Sequence, residues 1–283
     1  MKFLTVGSDP EFFVLDPKGR PFPATVFSAG TKENPVSIGN GFFEQRDNLS
    51  FEGNIPPAIN KQEFIDNITY LRNYFVEKVE RHGYSLSPNG VEYFEKRYLS
   101  LLEAQEFGCS SVVSSWDSNR DNLNSRPTPI LAKSKFRVSG FHVHIGYDKP
   151  IFDFDDKSNT NILIGRLFDL FLTVPSHAIK PEPERLVTYG KYGMIRCKSY
   201  GVECRTLSTY FTQVKYLSWI WDQLMKIELF INNCAGEDLS KIIQHAYLVQ
   251  GPTMMVDKVF SEIFFYFGNK DVFKLFDETK KYI

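Results

Sequence analysis

The sequence predicts an α+β fold, several antiparallel strands forming a sheet backed by helices, and three observations carry that expectation. Short segments alternate apolar and polar side chains with period two, most clearly Gly140-Phe-His-Val-His-Ile-Gly-Tyr147 and Gly201-Val-Glu-Cys-Arg-Thr-Leu-Ser208. Longer segments repeat apolar residues every three or four positions, as amphipathic helices do. No internal repeat, low-complexity tract or linker divides the 283 residues, so one domain spanning 1–283 is expected.

Taken in order, Phe3 to Val6 and Phe12 to Leu15 read as strand-like runs around Gly7-Ser-Asp-Pro-Glu11. Asp9 and Glu11 are two apart, so an extended backbone points both carboxylates the same way, and Pro10 between them fits an edge or a bulge. Residues 16–41 hold turn chemistry, with four prolines and several glycines breaking any long element. Leu49, Phe51, Gly53 and Ile55 then alternate with Ser50, Glu52 and Asn54, placing Glu52 on the polar face of a strand that Pro56-Pro57 closes. Glu44 and Asp47 precede it and can reach the same cleft.

From Lys61 to His82 the period changes. Phe64, Ile68, Leu71, Phe75 and Val79 form a helical stripe, and Gly83 is placed to end it. Residues 84–136 read as irregular, with a Ser/Asn-rich stretch at 110–126 and a local basic excess in Arg120, Arg126, Lys133, Lys135 and Arg137 that can contact phosphate. In the strand that follows, Phe141, Val143 and Ile145 share one face while His142 and His144 share the other. An acidic connection leads to a helix through Ile162, Leu163, Leu167, Leu170 and Phe171, capped by Ser158 or Asn159 and ended or kinked by Pro175. The glycine-containing segment Lys180 to Arg196 supplies Arg185, Lys191 and Arg196 as anion donors. Glu203 and Arg205 share a strand face. The rest reads as helical: Val214, Leu217, Trp221, Leu224, Ile227 and Ile231 up to Gly236, then shorter pieces around 239–248 and 256–267.

Composition narrows the classes. A 42% hydrophobic and 24% charged chain with 26 Phe, 14 Tyr and 3 Trp has the make-up of an ordinary globular protein. A net charge of -1 offers no global field for a polyanion or an anionic membrane, so nucleic acid is not indicated. Cys109, Cys197, Cys204 and Cys234 show no C-x-x-C spacing, which argues against a zinc ribbon or a redox motif, and Cys204 reads as packing. With no amino-terminal apolar core and no later apolar run near about 18 residues, a cytoplasmic protein with reduced thiols and no membrane partner is expected.

The polar positions of four segments assemble one chemistry: Asp9 and Glu11, Asp47 and Glu52, His142 and His144, Glu203 and Arg205. A carboxylate-rich set with imidazoles suits magnesium or manganese, and arginines at its rim suit a nucleoside triphosphate. The ordered set Gly7-Ser-Asp-Pro-Glu-Phe-Phe, Asp47-Asn-Leu-Ser-Phe-Glu-Gly-Asn-Ile-Pro-Pro, Gly140-Phe-His-Val-His-Ile-Gly-Tyr and Gly201-Val-Glu-Cys-Arg-Thr-Leu resembles the COOH-NH2 ligases of tailed phages, distant relatives of glutamine synthetase and glutamate-cysteine ligase.

That resemblance implies a curved antiparallel sheet with helices on its outer face, like a glutamine synthetase catalytic domain. It implies ATP and Mg2+ (or Mn2+) as cofactors, amide formation through an acyl phosphate, and small-molecule or peptide carboxylate and amine substrates. An oligomer is compatible with it, and so is the host cytoplasm if the protein is phage-encoded. Residue by residue, it implies Asp9, Glu11, Glu52, His142 and Glu203 as metal ligands, and His144 facing nucleotide phosphate. Arg205 would contact the transferred phosphoryl group, Asp47 would help bind metal or the incoming amine, and Arg185, Lys191 and Arg196 would be rim donors to phosphate or substrate. Asp9-Pro-Glu11 departs from the Glu-x-Glu of glutamine synthetases. Two other functions use the same residues: a metal-dependent phosphoesterase, and a catalytically silent nucleotide- or protein-binding descendant. Residues 110–126 would serve a ligase as a lid.

Overall fold

Ten consecutive residues, Phe3–Phe12, form the strand around which the fold is laid out. The protein is described by a computed structural model covering residues 1–28, 30–105, 112–115, 131, 133–151, 157–186 and 188–233. In chain order the elements are β1 (Phe3–Phe12), β2 (Val14–Leu15), β3 (Pro21–Phe22), β4 (Val36–Gly39), β5 (Phe42–Asp47), β6 (Ser50–Asn54), α1 (Lys61–Glu80), β7 (Ser85–Leu86), β8 (Val91–Tyr93), α2 (Lys96–Leu99) and α3 (Leu102–Gln105). They continue with β9 (Val113–Ser114), β10 (Phe136–Val138), β11 (Phe141–Tyr147), α4 (Ser158–Phe168), α5 (Val174–Ile179), α6 (Pro183–Leu186), β12 (Met194–Lys198), β13 (Gly201–Cys204) and α7 (Val214–Asn233).

Eight strands form one sheet in the order β4-β5-β6-β1-β11-β13-β12-β9, and every pairing in it is antiparallel. This is an α+β architecture with a large antiparallel sheet. Register separates its two faces. Phe12 opposes Phe51, Val143 opposes Cys204, Ile145 opposes Val202 and Ile195 opposes Cys204, so these side chains make one apolar face.

Helices α1, α4 and α7 cover that face with the stripes the sequence predicts: Phe64, Ile68, Leu71, Phe75 and Val79 from α1, Leu163 and Leu167 from α4, Leu217, Leu224 and Ile227 from α7. Phe51 stacks on Phe75 at 4.6 Å between ring centroids. Each such buried aromatic contributes about 1.5–3 kcal/mol. Gly53 sits where α1 crosses the sheet; a Cβ there would lie 2.7 Å from Leu71 Cδ1. Asn60 caps α1 by accepting from the Glu63 N–H, and Gly83, at φ +78°, follows its end.

Several expectations need correction. The two runs at 3–15 are one strand plus the short β2, and Pro10 lies inside the sheet. Even-numbered residues of β1 turn their backbone toward β6: the Val6 N–H donates to Ala58 O, and Ser8 O accepts from the Ile55 N–H. Pro10 falls in the gap before the β1–β6 register resumes at Glu11 and Phe12, so its missing N–H breaks no ladder bond. The stretch at 16–41 contains an edge strand, β4, joined to β5 by Asn40-Gly41, both at positive φ, as a tight hairpin requires.

Residues 84–136 are not simply a loop, since they contribute β7 to β10, and Val113–Ser114, at the start of the expected lid, pairs with β12 at the sheet edge. Nor is 180–196 only a flexible segment: it holds α6 and the start of β12. The cap of α4 is Lys157, at φ 72°, rather than Ser158 or Asn159. Pro175 does not end the helix, because a π-helical turn at Asp169–Thr173 widens the backbone just ahead of it and the chain stays helical to Ile179.

The continuous stretch Ser158–Ile179 is therefore long and apolar enough to cross a membrane by length and composition, beyond the run length expected from sequence, but 67% of the 18-residue apolar window within it is buried in the fold as a core helix is. The remainder of the expected lid (110, 111 and 116–126, with Arg120 and Arg126), the acidic connection at 152–156, Cys109, Cys234 and the helical pieces beyond Gly236 lie outside the described residues.

Candidate functional site

The opposite face of the same sheet is polar, and register explains why distant residues meet on it. Glu52 opposes both Gln45 and Glu11, Asp9 opposes His142, His144 opposes Glu203, and Glu203 opposes Arg196. Directly opposed side chains share a face, so strands β5, β6, β1, β11, β13 and β12 deliver a continuous polar row.

At its centre the His144 ring lies 2.7 Å from Asp9 Oδ1 through Nε2, and its Nδ1 is 2.7 Å from the Tyr200 hydroxyl, whose ring stacks on the imidazole. His142 Nδ1 lies 3.6 Å from Asp9 and 3.9 Å from Glu203, with Nε2 3.8 Å from Glu11. Glu11 accepts from the Gly140 N–H at 2.7 Å, and Gln45 donates to Glu52 at 2.6 Å. Gly140 leaves room for the imidazole, since a Cβ there would lie 2.6 Å from His142 Nε2.

Charge is distributed unevenly along this row. Glu203, fully buried, is gripped by Arg205, by Arg196 at 3.1 Å and by Lys198 at 2.9 Å. Burial alone would push its carboxyl up, but Arg205 above all, with His142 and His144, holds it at about 2. Asp9 likewise resists burial because the two imidazoles keep it well below the ordinary carboxylate range.

Toward β6 the sign reverses. Burial, reinforced by Asp47 and Asp9, raises Glu52 well above its usual value, and burial with repulsion from Asp47 raises Glu11. Lys32 reaches Asp47 at 3.7 Å. A cavity opens at this end, lined by Glu11, Asp47, His142 and Arg205 with Phe13 and Leu131 among its apolar walls.

Among the described residues, two sets can hold a metal ion, Asp9 with Glu52 and His142, and Asp9 with His144 and Glu203; within each set the ligand atoms lie within 4.8 Å of one another. The residues fit such an ion. His142 Nδ1 is buried without a hydrogen-bond partner, and oxygen-rich donors with one imidazole suit magnesium or manganese.

Ten of the eleven sequence-derived site residues line this face or its cavity, nine of them with side chains turned to it: Asp9, Glu11, Asp47, Glu52, His142, His144, Arg196, Glu203 and Arg205. Arg185 borders the cavity too, yet it is no rim donor. It is buried, and its guanidinium is spent on the carbonyls of Ser139, Thr206 and Leu207. Arg137 is spent in the same way on Leu131, Phe136 and Ala104 rather than offered to phosphate. Lys191 does not line the cavity, and among the described residues its side chain makes no ion pair with these acids.

Glu44 leaves the cleft altogether. One residue out of phase with Gln45, it crosses to the helix face and receives Lys78 and the Tyr74 hydroxyl. Sequence reading missed Lys198, Gln45, Lys32 and Tyr200. The first two had a signal, since Lys198 is two from Arg196 and Gln45 two from Asp47. Lys32 and Tyr200 sit at turns, where no periodicity points to them.

No protein-family model matches this chain, and no curated protein matches it.

Proposed function

We propose that this protein is an ATP- and magnesium-dependent carboxylate-amine ligase, the activity implied by its resemblance to the phage COOH-NH2 ligases and glutamine synthetases. The observation that carries the reading is the polarity of one sheet face: cations Arg196 and Lys198 at one end, crowded acids Glu11, Asp47 and Glu52 at the other, and between them two metal-capable sets sharing Asp9, with Arg205 gripping Glu203 and reaching the cavity at the acid end. An anionic phosphate belongs at the first end and a cationic amine at the second.

A carboxylate is a poor acyl donor because oxide would have to leave. Attack of its oxygen on the γ-phosphorus breaks the bond to ADP and gives an acyl phosphate, and attack of the amine on the carbonyl then expels phosphate. Asp9, Glu52 and His142, with His144 and Glu203, would hold magnesium or manganese, which when bound screens the charge of the phosphates. Arg205 and Arg196 orient the phosphoryl oxygens and oppose their charge. Asp47, beside the cavity, takes the proton that the ammonium must lose before it can attack.

The test is ADP release by the purified protein with ATP, magnesium and a mixture of amino acids. Release that depends on both acid and amine is expected. Cleavage of a phosphoester without ATP would establish the phosphoesterase instead, and nucleotide binding without turnover the silent descendant.

A further inference from the structure

Gln45 belongs to neither metal-capable set, yet it holds a member of one. On β5 it opposes Glu52 of β6, with only 5% of its surface exposed. Its Nε2 donates to Glu52 Oε2 at 2.6 Å. The nitrogen faces Glu52 because the amide oxygen, an acceptor, would meet another acceptor there.

The two sets are not equivalent. In the set of Asp9, His144 and Glu203, the last already meets Arg196, Lys198 and Arg205. In the set of Asp9, Glu52 and His142 all three residues are buried, and His142 Nδ1, 3.6 Å from Asp9, has no hydrogen-bond partner. Around Glu52 itself, Asp47, Asp9 and Glu11 repel and Lys32 attracts. A divalent ion is therefore drawn to this second set first.

Its three ligands differ in how they are placed. Asp9 and His142 oppose each other across β1 and β11, so the backbone brings them together. Glu52 reaches in from β6 on a longer side chain with more rotamer freedom to lose. A hydrogen bond to one carboxylate oxygen limits where the other can lie. A lysine or an arginine in the place of Gln45 would also fix that oxygen, but its charge would oppose the ion; an amide orients without neutralising.

We infer that Gln45 is a positioning residue of the Asp9, Glu52 and His142 metal site, its amide fixing Glu52 Oε2 so that the other oxygen is aimed at the ion and the carboxylate keeps its charge. The inference deepens the metal assignment of the ligase reading and rests on it for the reaction served.

The experiment follows manganese binding to the full chain, without nucleotide, by electron paramagnetic resonance in wild type, Gln45→Met and Gln45→Lys, with thermal melts in EDTA alongside. Methionine removes the donor at similar volume, whereas lysine keeps a donor and adds a positive charge. Both should weaken the tightest-bound manganese by about 10–100-fold. A bond that merely ties β5 to β6 would move the melts and leave manganese affinity where it was. A loss smaller than about tenfold in either variant, or no manganese binding by the wild type, overturns the inference. Gln45→Lys keeps the test decisive if Gln45→Met does not fold, because its donor preserves the tie between the strands. The ligase reading fails separately, through absence of amine-dependent ADP release by the wild type, and that result leaves the manganese affinities standing.

Discussion

Replacing Glu203 by glutamine removes one negative charge and almost no volume from the point where Arg196, Lys198 and Arg205 meet. The carboxyl titrates at about 2 in the fold against 4.5 for a free side chain, so the folded state favours the ionised form. A depressed folded pKa means stability that is present above about 4.5 and lost as pH falls toward 2. The difference between 4.5 and about 2 corresponds to about 3 kcal/mol at neutral pH. Glu203 is fully buried, so solvent screening does not discount this, and breaking a buried ion cluster costs about 3–5 kcal/mol in general.

Urea denaturation of Glu203→Gln at pH 7.5 in EDTA should therefore show a loss of about 3 kcal/mol. Added pyrophosphate should recover part of the loss by supplying the missing counter-charge, and ATP turnover should disappear. A loss under about 1 kcal/mol, the scale of an exposed pair, would refute the view that three cations depend on this carboxylate.

Glu52→Gln should behave in the opposite way. Its carboxyl is raised by burial and by Asp47 and Asp9, so its ionised form is a burden at neutral pH, and the variant should be about 1–2 kcal/mol more stable without metal while losing the stabilisation that magnesium gives the wild type, as thermal melts would show. Gly140→Ala places a Cβ 2.6 Å from His142 Nε2 and should cost about 1–3 kcal/mol; manganese affinity, followed by electron paramagnetic resonance, should fall with it. His177 is held neutral, with its pKa lowered to about 4 by burial and by Arg185, so the unfolded chain binds the extra proton and stability falls as pH drops from 6.5 toward 4. Between pH 7.5 and pH 5 this amounts to about 2 kcal/mol, and His177→Gln should remove that part of the pH dependence of urea unfolding.

Much of this was legible in the sequence because period two and period 3.6 are local. The alternation at 140–147 places His142 and His144 together, the stripe from Phe64 to Val79 predicts α1, and the i, i+2 spacings of Asp9 with Glu11 and Glu203 with Arg205 place each pair on one face. What failed depended on phase or on partners. Glu44 sits one residue out of step with Asp47 in β5, and nothing before the hairpin was recognised showed which side it takes. The Asn40-Gly41 turn would have revealed that hairpin and, with it, Gln45. Arg185 reads as an anion donor from its type alone, and only the fold shows its guanidinium consumed by three carbonyls.

A structural ion-pair network on this face would pair each acid with its own base, because an unpaired buried charge costs several kcal/mol. The observed arrangement does the reverse. Three cations converge on Glu203, while Glu11 and Glu52 oppose each other across β1 and β6 with Asp47 beside them; Lys32 pairs with Asp47, and the attraction of His142 and Arg205 for Glu11 does not outweigh its burial. Moving one cation across the sheet would relieve both ends, so stability alone does not account for the separation. Ligands of opposite charge, entering at opposite ends, do account for it. The same consideration makes Glu52→Gln and Glu203→Gln a matched pair, since a site built for ligands gains stability from neutralising the one and loses it from neutralising the other, whereas a structural network would lose stability from both.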